Sequence, residues 1–275
     1  MARYAPERLG ERLPAQAEVA GVAMDKSLAE RLGAYVDLLR RWNAKLNLTR
    51  LDRDDAGLAR LVIEPLAAVP YLPEQGTLVD IGSGGGSPAI PLKLAAPGLA
   101  LRMIEGRTRK AAFLREAVRH LGLDRTEVLA ERYEELLRRR DLQDGHVALS
   151  VRGVRLDTVA LQGLQTLVAP GGALLLFRGP EPADSWTDAS PTLTLEAAVP
   201  LRSAPGSRLI VLRRSAGGPG EDNVPRGALA RRVGPRGVRS AGSPTSGPGC
   251  GSSYSTPAPG DPSSRSRRGR RHAAR

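Results

Sequence analysis

Leu78-Val79-Asp80-Ile81-Gly82-Ser83-Gly84-Gly85-Gly86-Ser87-Pro88 is the stretch that decides the fold. It reads as a short apolar strand, an acidic residue, a glycine-rich turn and the opening of a helix. Glycine lets a ligand approach the backbone where a Cβ would block it, and it accepts the positive φ of tight turns. Pro88 suits a first helical turn, where its missing N–H is not needed. A dinucleotide fold asks for G-x-G-x-x-G, with a helix N-terminus aimed at a pyrophosphate. The third glycine of that spacing falls on Ser87, so the pattern points to a nucleoside ligand of another kind.

The flanking residues extend the pattern. Pro88-Ala89-Ile90-Pro91-Leu92-Lys93-Leu94 is helical to about Ala96, Pro97-Gly98 breaks it, and Leu99-Ala100-Leu101-Arg102-Met103-Ile104 reads as the next strand, ended by Glu105. Ligands of a doubly wound sheet bind at the carboxyl ends of the strands, where the strand order reverses. A carboxylate there, about 20 residues beyond the turn, accepts both ribose hydroxyls of an adenosine; the alternative is a solvated strand-end charge. The run Asp80-x-Gly82-x-Gly84-x-Gly86 resembles motif I of the S-adenosylmethionine-dependent methyltransferases. Their sulfonium cofactor is cationic and carries no phosphate, so nearby carboxylates do not repel it.

The 275 residues suffice for one sizeable core with a short extra element at either end. Aromatic content is 3%, so the core must be built from Leu, Val, Ile and Ala. No apolar run reaches the roughly 20 residues of a membrane-spanning helix, and no signal-peptide pattern opens the chain. Cys250 is the only cysteine, which excludes a disulfide scaffold and a cysteine metal site and fits a reducing cytoplasm.

The net charge of +12 is uneven: residues 216–275 hold eleven arginines against three acidic residues, so +8 of it lies there. That segment is rich in Gly, Pro, Ser and Arg and lacks apolar periodicity, so it is expected to be disordered. Arg265-Ser266-Arg267-Arg268-Gly269-Arg270-Arg271 reads either as an electrostatic arm for RNA phosphates or as an incidental extension.

Residues 1–75 read as a helical region. Ser27-x-x-Glu30 has the form of a capping box. Leu28, Leu32, Val36, Leu39, Trp42 and Leu46 then make one apolar stripe. Asp54 or Asp55 caps a second helix through Leu58, Leu61, Val62, Leu66 and Val69. Residues 76–215 alternate: strands at 77–81, 100–104, 126–130, 146–151 and 172–177, with helices at about 88–96, 107–121, 132–140 and 156–168. Strands at 192–199 and 207–213 close the sheet as an antiparallel hairpin. The expected class is α/β: a Rossmann-like, mostly parallel seven-stranded sheet with an antiparallel last strand and helices on both faces.

Trp42-Asn43-Ala44-Lys45-Leu46-Asn47-Leu48-Thr49 resembles the W-N-x-x-x-N-L-T segment of the RsmG (GidB) family of 16S ribosomal RNA guanine-N7 methyltransferases. Gly86-Ser87-Pro88-Ala89-Ile90-Pro91-Leu92 is similar to its G-F-P-G-I-P-L. Lys110, Phe113 and Leu114 match its E-x-x-x-K-K-x-x-F-L stretch after Glu105. Ser150-Val151-Arg152-Gly153-Val154 resembles its S-R-A-V, and Leu175-Leu176-Phe177-Arg178-Gly179 its K-G strand end. These segments keep the family's order across about residues 25–215. The chain departs where Ser87 replaces an aromatic or leucine, Ala89 a glycine, Leu61 a histidine and Arg178 a lysine.

The resemblance implies cofactor contacts at Gly82, Ser87, Glu105, Gly106, Arg107, Tyr133, Glu134 and Arg152, beside Asp80 and Gly84 of the glycine motif. Substrate contacts are expected at Asn43, Asn47, Arg152 and Arg178, with Arg107, Arg109, Lys110 and Arg155 as further cations near strand ends. A structural capping role is the alternative for Asn43 and Asn47. No catalytic acid or base and no metal ligand is assigned. Methylation at pyrimidine C5 needs a cysteine nucleophile, and Cys250 lies in the tail; the N-P-P-Y-type loop of exocyclic-amine methylation is absent after the fourth strand. Guanine N7 presents a bare lone pair and needs only positioning. The expected activity is therefore S-adenosylmethionine-dependent methylation of guanine N7 at one site of small-subunit rRNA, naked or in a ribosomal particle, by a cytoplasmic monomer. The alternatives are another RNA or a small molecule as acceptor, or an inactive RNA-binding assembly factor.

Overall fold

The computed structural model describes residues 6–52, 54–179, 190–201 and 206–216. The expected disordered tail lies outside the described residues, apart from Ala216. Helix α1 (Pro6–Ala20) packs on α2 (Lys26–Leu46). Asp25, not Ser27, caps α2: its carboxylate accepts the Leu28 N–H at 2.7 Å. An N-cap oxygen reaches the third helical N–H, and Asp25 is the residue placed to do so. Leu32, Val36 and Leu39 of the expected stripe are buried, while Leu28, Trp42 and Leu46 pack half-buried at its margins.

The second expected helix begins as foreseen, with Asp54 accepting the Gly57 N–H at 2.7 Å, but it does not continue as one α-helix. Four α-helical residues, α3 (Asp55–Leu58), run into a π-turn (Ala59–Ile63) and then a 3-10 helix (Glu64–Tyr71). Pro65 and Pro70 explain the change, since neither can donate a backbone N–H to the preceding turn.

The sheet has the order β3-β2-β1-β4-β5-β7-β6, with β1 (Gly76–Ile81), β2 (Leu99–Ile104), β3 (Thr126–Leu129), β4 (His146–Arg152), β5 (Val168–Arg178), β6 (Leu193–Pro200) and β7 (Arg208–Arg214). Strands β1 to β5 pair in parallel; β7 runs antiparallel to both β5 and β6. The order reverses between β1 and β4, which places the switch point at the glycine turn.

Side chains alternate across the sheet with period two. Leu78, Ala148 and Leu175 join one core with α1, α2, α4 (Ala89–Ala95) and α5 (Thr108–His120). Val79, Leu149 and Leu174 join another with Leu136 of α6 (Tyr133–Leu136) and Leu161 and Leu164 of α7 (Thr158–Gln165). Both faces are covered, so the central strands read as unbroken apolar runs. The helix expected at 132–140 is only α6 plus a 3-10 turn at Arg140–Leu142. Its apolar anchors are Leu136 and Leu142, and Arg138-Arg139-Arg140 between them has nothing to bury. No described helix is long and apolar enough to cross a membrane.

Candidate functional site

The glycine turn follows β1 and is fastened on every side. Gly82, Gly84 and Gly86 take φ of +70°, +56° and +91°. At Gly82 a Cβ would also lie 2.4 Å from Val154 Cγ2, so the turn admits no side chain there. The Ser83 N–H donates to Ile104 O at 3.0 Å, and Tyr35 of α2 donates its hydroxyl to Gly85 O at 2.6 Å. Burial holds the Tyr35 phenol protonated, well above its ordinary pKa. Pro88 stands at the N-cap of α4 rather than within its first turn.

Asp80 is level with Ser150 of β4 and fully buried. Ser150 donates to its Oδ1 at 2.6 Å, whereas Oδ2 has no hydrogen-bond partner among the described residues. Desolvation pushes the Asp80 carboxyl up to about 7, against the Ser150 hydrogen bond and with help from the Glu105 charge, while Ser83 donates to the Asp80 backbone carbonyl at 3.2 Å. Glu105, at the end of β2, accepts the Gly84 N–H on Oε2 at 2.9 Å and the Arg107 N–H on Oε1 at 2.8 Å. Each of its oxygens keeps a further lone pair. Gly106 abuts the β3–α6 loop, where an added Cβ would sit 3.1 Å from Arg132 Cγ. Beyond that loop, Tyr133 and Glu134 begin α6; burial, and then the Glu134 charge, raise the Tyr133 phenol above its ordinary value.

The turn also borders a cleft of about 460 Å3 whose wall includes Gly82, Gly84, Ser87, Lys110, Arg152 and Arg178. Of the expected site residues, the cleft therefore gathers Gly82, Gly84, Ser87, Arg152 and Arg178. Glu105, Gly106, Arg107, Tyr133 and Glu134 are not among the residues that line it; Glu105 is tied to the turn by its bond from the Gly84 N–H.

Several of these residues are held by hydrogen bonds within the fold. The Ser87 hydroxyl donates to Leu61 O at 2.7 Å. Arg152 donates to Glu64 Oε2 at 2.7 Å and to Arg60 O, and lies over the Phe177 ring. The Asn43 amide is taken up by its own loop, donating to Thr49 O at 2.8 Å and Asp52 Oδ2 at 2.9 Å and accepting the Thr49 N–H at 2.9 Å. Asn47 closes α2 in the left-handed conformation, φ 50°. Both asparagines thus shape Leu48-Thr49-Arg50-Leu51, of which Leu48, Thr49 and Leu51 wall the cleft. Arg178 donates to Val154 O at 3.1 Å.

Sequence reasoning missed Glu64, Arg60 and Tyr35. The available signal for Glu64 was the Pro65 after it; for Tyr35 it was a place on the buried side of α2, four residues before Leu39.

The family model GidB, described as rRNA small subunit methyltransferase G, matches residues 28–207, more than half of the chain. The chain belongs to this family. The ribosomal RNA small subunit methyltransferase G of Stenotrophomonas maltophilia (strain K279a) is 35% identical over 190 residues, covering 68% of this chain and 86% of that protein. That of Neisseria gonorrhoeae (strain NCCP11945) is 38% identical over 124 residues, covering 45% and 60%. Among solved structures, TYW2 of P. horikoshii in complex with MeSAdo aligns at TM-score 0.48 and 14% identity over 60% of this chain and 64% of that one. A SAM dependent methyltransferase from Aquifex aeolicus aligns at TM-score 0.47 and 16% identity over 62% and 100%.

As a GidB member, the chain shows how its N-terminal helices shape the site. Gly57 of α3 leaves room for Leu51 of the cleft wall: an added Cβ would lie 2.4 Å from Leu51 O. Gly57→Ala is expected to destabilise by about 1–3 kcal/mol, because backbone must move to admit the methyl. Thermal unfolding of the variant checks this; an unchanged melting temperature would refute it.

Proposed function

We propose that this chain transfers the methyl group of S-adenosylmethionine to N7 of one guanosine in small-subunit ribosomal RNA. The observation that carries the reading is the chemistry of the cleft wall. Its charged lining residues among those described are Arg60, Glu64, Lys110, Arg152 and Arg178, and the one carboxylate, Glu64, is paired with Arg152. A wall with no uncommitted proton acceptor suits an acceptor atom that carries a bare lone pair, as guanine N7 does. Chemistry of this kind needs alignment rather than a base, and alignment supplies much of the acceleration.

The residues fit the cofactor. Gly82, Gly84 and Gly86 leave the turn bare apart from Ser83, and Asp80 Oδ2, without a hydrogen-bond partner among the described residues, sits at its base. Asp80, Gly82, Gly84, Glu105, Gly106 and Arg107 would hold the nucleoside, with Glu105 accepting ribose hydroxyls and Tyr133-Glu134 lying beside the adenine. The cofactor supplies an electrophilic methyl on a cationic sulfonium. Ser87 and Arg152, held by Leu61 O and Glu64, frame the site beside the turn. Lys110 and Arg178 face the substrate from the cleft wall and meet RNA phosphate or base. The same reading makes the substrate naked rRNA or a ribosomal particle, met in the cytoplasm by a single copy of the chain.

The test is transfer of labelled methyl into small-subunit RNA, naked and in particles. The product is mapped by strand scission at 7-methylguanosine after borohydride reduction. Label at one guanine N7 is the expected result. Label on another atom overturns the N7 assignment, and bound cofactor without any label overturns the enzyme reading in favour of an RNA-binding assembly factor.

A further inference from the structure

Arg152 and Glu64 form a buried ion pair: their side chains are 12% and 4% exposed and approach to 2.7 Å. The remaining contacts fix the guanidinium on its other edge and one face. Nη1 donates to Arg60 O and lies 3.4 Å from Ser87 Oγ, and the Phe177 ring centroid is 5.7 Å from Cζ.

The local sequence explains why the Arg60–Leu61 backbone is available. In the π-turn the Glu64 N–H bonds Ala59 O. Residue 65 would be the donor to Arg60 O in the π pattern and to Leu61 O in the α pattern, and Pro65 has no N–H. Each of these two carbonyls loses that donor. They are the two carbonyls that take Arg152 and Ser87.

We propose that Glu64 is a positioning residue: it holds the Arg152 guanidinium flat and charge-balanced in the cleft wall as the platform on which the target guanine stacks. This deepens the guanine-N7 reading and rests on it. Extruded bases stack on guanidinium planes, and Arg152 lines the cleft beside the glycine turn. Transfer to N7 forms an N–CH3 bond, breaks the S–CH3 bond, and leaves the positive charge on the base and a neutral thioether behind. A bare guanidinium under that base would oppose the arriving charge. The Glu64 carboxylate balances it while fixing the plane.

The test compares wild type, E64Q, E64D and the double variant E64M/R152M in steady-state transfer to small-subunit RNA, with S-adenosylmethionine binding followed by calorimetry. E64Q is expected to lose about a hundredfold in kcat, with KM for RNA and Kd for the cofactor unchanged. E64D, which keeps the charge, is expected to recover part of the loss. The double variant replaces the pair by apolar side chains of similar volume, which keeps such sites folded. It is expected to melt with the wild type and transfer no faster than E64Q. Wild-type kcat in E64Q or in the double variant overturns the proposal, as does a loss confined to cofactor Kd. Wild-type label on another atom overturns the guanine reading and the charge-balance argument with it. Label at guanine N7 with an unaffected E64Q overturns this inference alone.

Discussion

Arg152→Ala is expected to lower the unfolding free energy by about 3–5 kcal/mol and to abolish methyl transfer. The size follows from what is left behind. Glu64 is 4% exposed, and its carboxylate would lose the guanidinium 2.7 Å away and stay buried with the more distant Arg60 Nε at 4.0 Å. Arg60 O would lose its donor as well, and Phe177 would lose the group that covers its ring. Burial pulls the Arg152 pKa below its ordinary value while the Glu64 charge holds it up, so each charge depends on the other. Urea unfolding at neutral pH measures the effect. A loss below about 1 kcal/mol, the range of an exposed pair, would show that the pair is solvated in solution.

Asp80→Asn is expected to stabilise the protein increasingly as pH rises from about 4 to about 7. The Asp80 carboxyl has an ordinary value of 3.8 and stands at about 7 in the fold, chiefly through desolvation. A raised acid binds more protons in the folded state than in the unfolded state across that window. Its contribution is therefore fully present below 3.8 and is lost as pH rises through about 7. Each pKa unit corresponds to 1.36 kcal/mol, so the full difference is about 4 kcal/mol. Asparagine keeps an oxygen for the Ser150 hydroxyl and never ionises. His146 acts in the opposite sense: burial lowers its pKa, so its contribution is lost as pH falls through the ordinary histidine range. Subtracting the variant's melting curve from that of the wild type cancels His146 and isolates Asp80. A flat difference between pH 4 and 8 would sink the prediction. The same substitution is expected to weaken S-adenosylmethionine binding, because a neutral amide replaces the carboxylate beneath the glycine turn.

The sheet was legible because its signals are local. Strand boundaries follow from apolar runs closed by Gly, Pro and charge, and a strand–turn–helix with Asp80 and alternating glycines has few structural solutions. The helical layer was less legible where a side chain competes with the backbone. Asp25 and Ser27 both offer capping oxygens, and only the entry path of the chain selects between them. The helix expected through Val69 is broken by Pro65 into a π-turn and a 3-10 helix, a change of pitch that apolar periodicity does not register.

For the site, the sequence alone determined the glycine turn, Asp80, the Glu105 strand end and the cations near the strand ends. These follow from backbone geometry and chain order, and the pattern of residues carries both. Which partners hold the polar side chains of the site was decided by the tertiary structure. Asn43, Ser87 and Arg152 look like polar contacts in the sequence. In the fold their hydrogen bonds go to Thr49, Leu61 and Glu64, 6, 26 and 88 residues away along the chain. A buried polar group must find a partner, and that partner is set by which elements pack together, so no local pattern contains it.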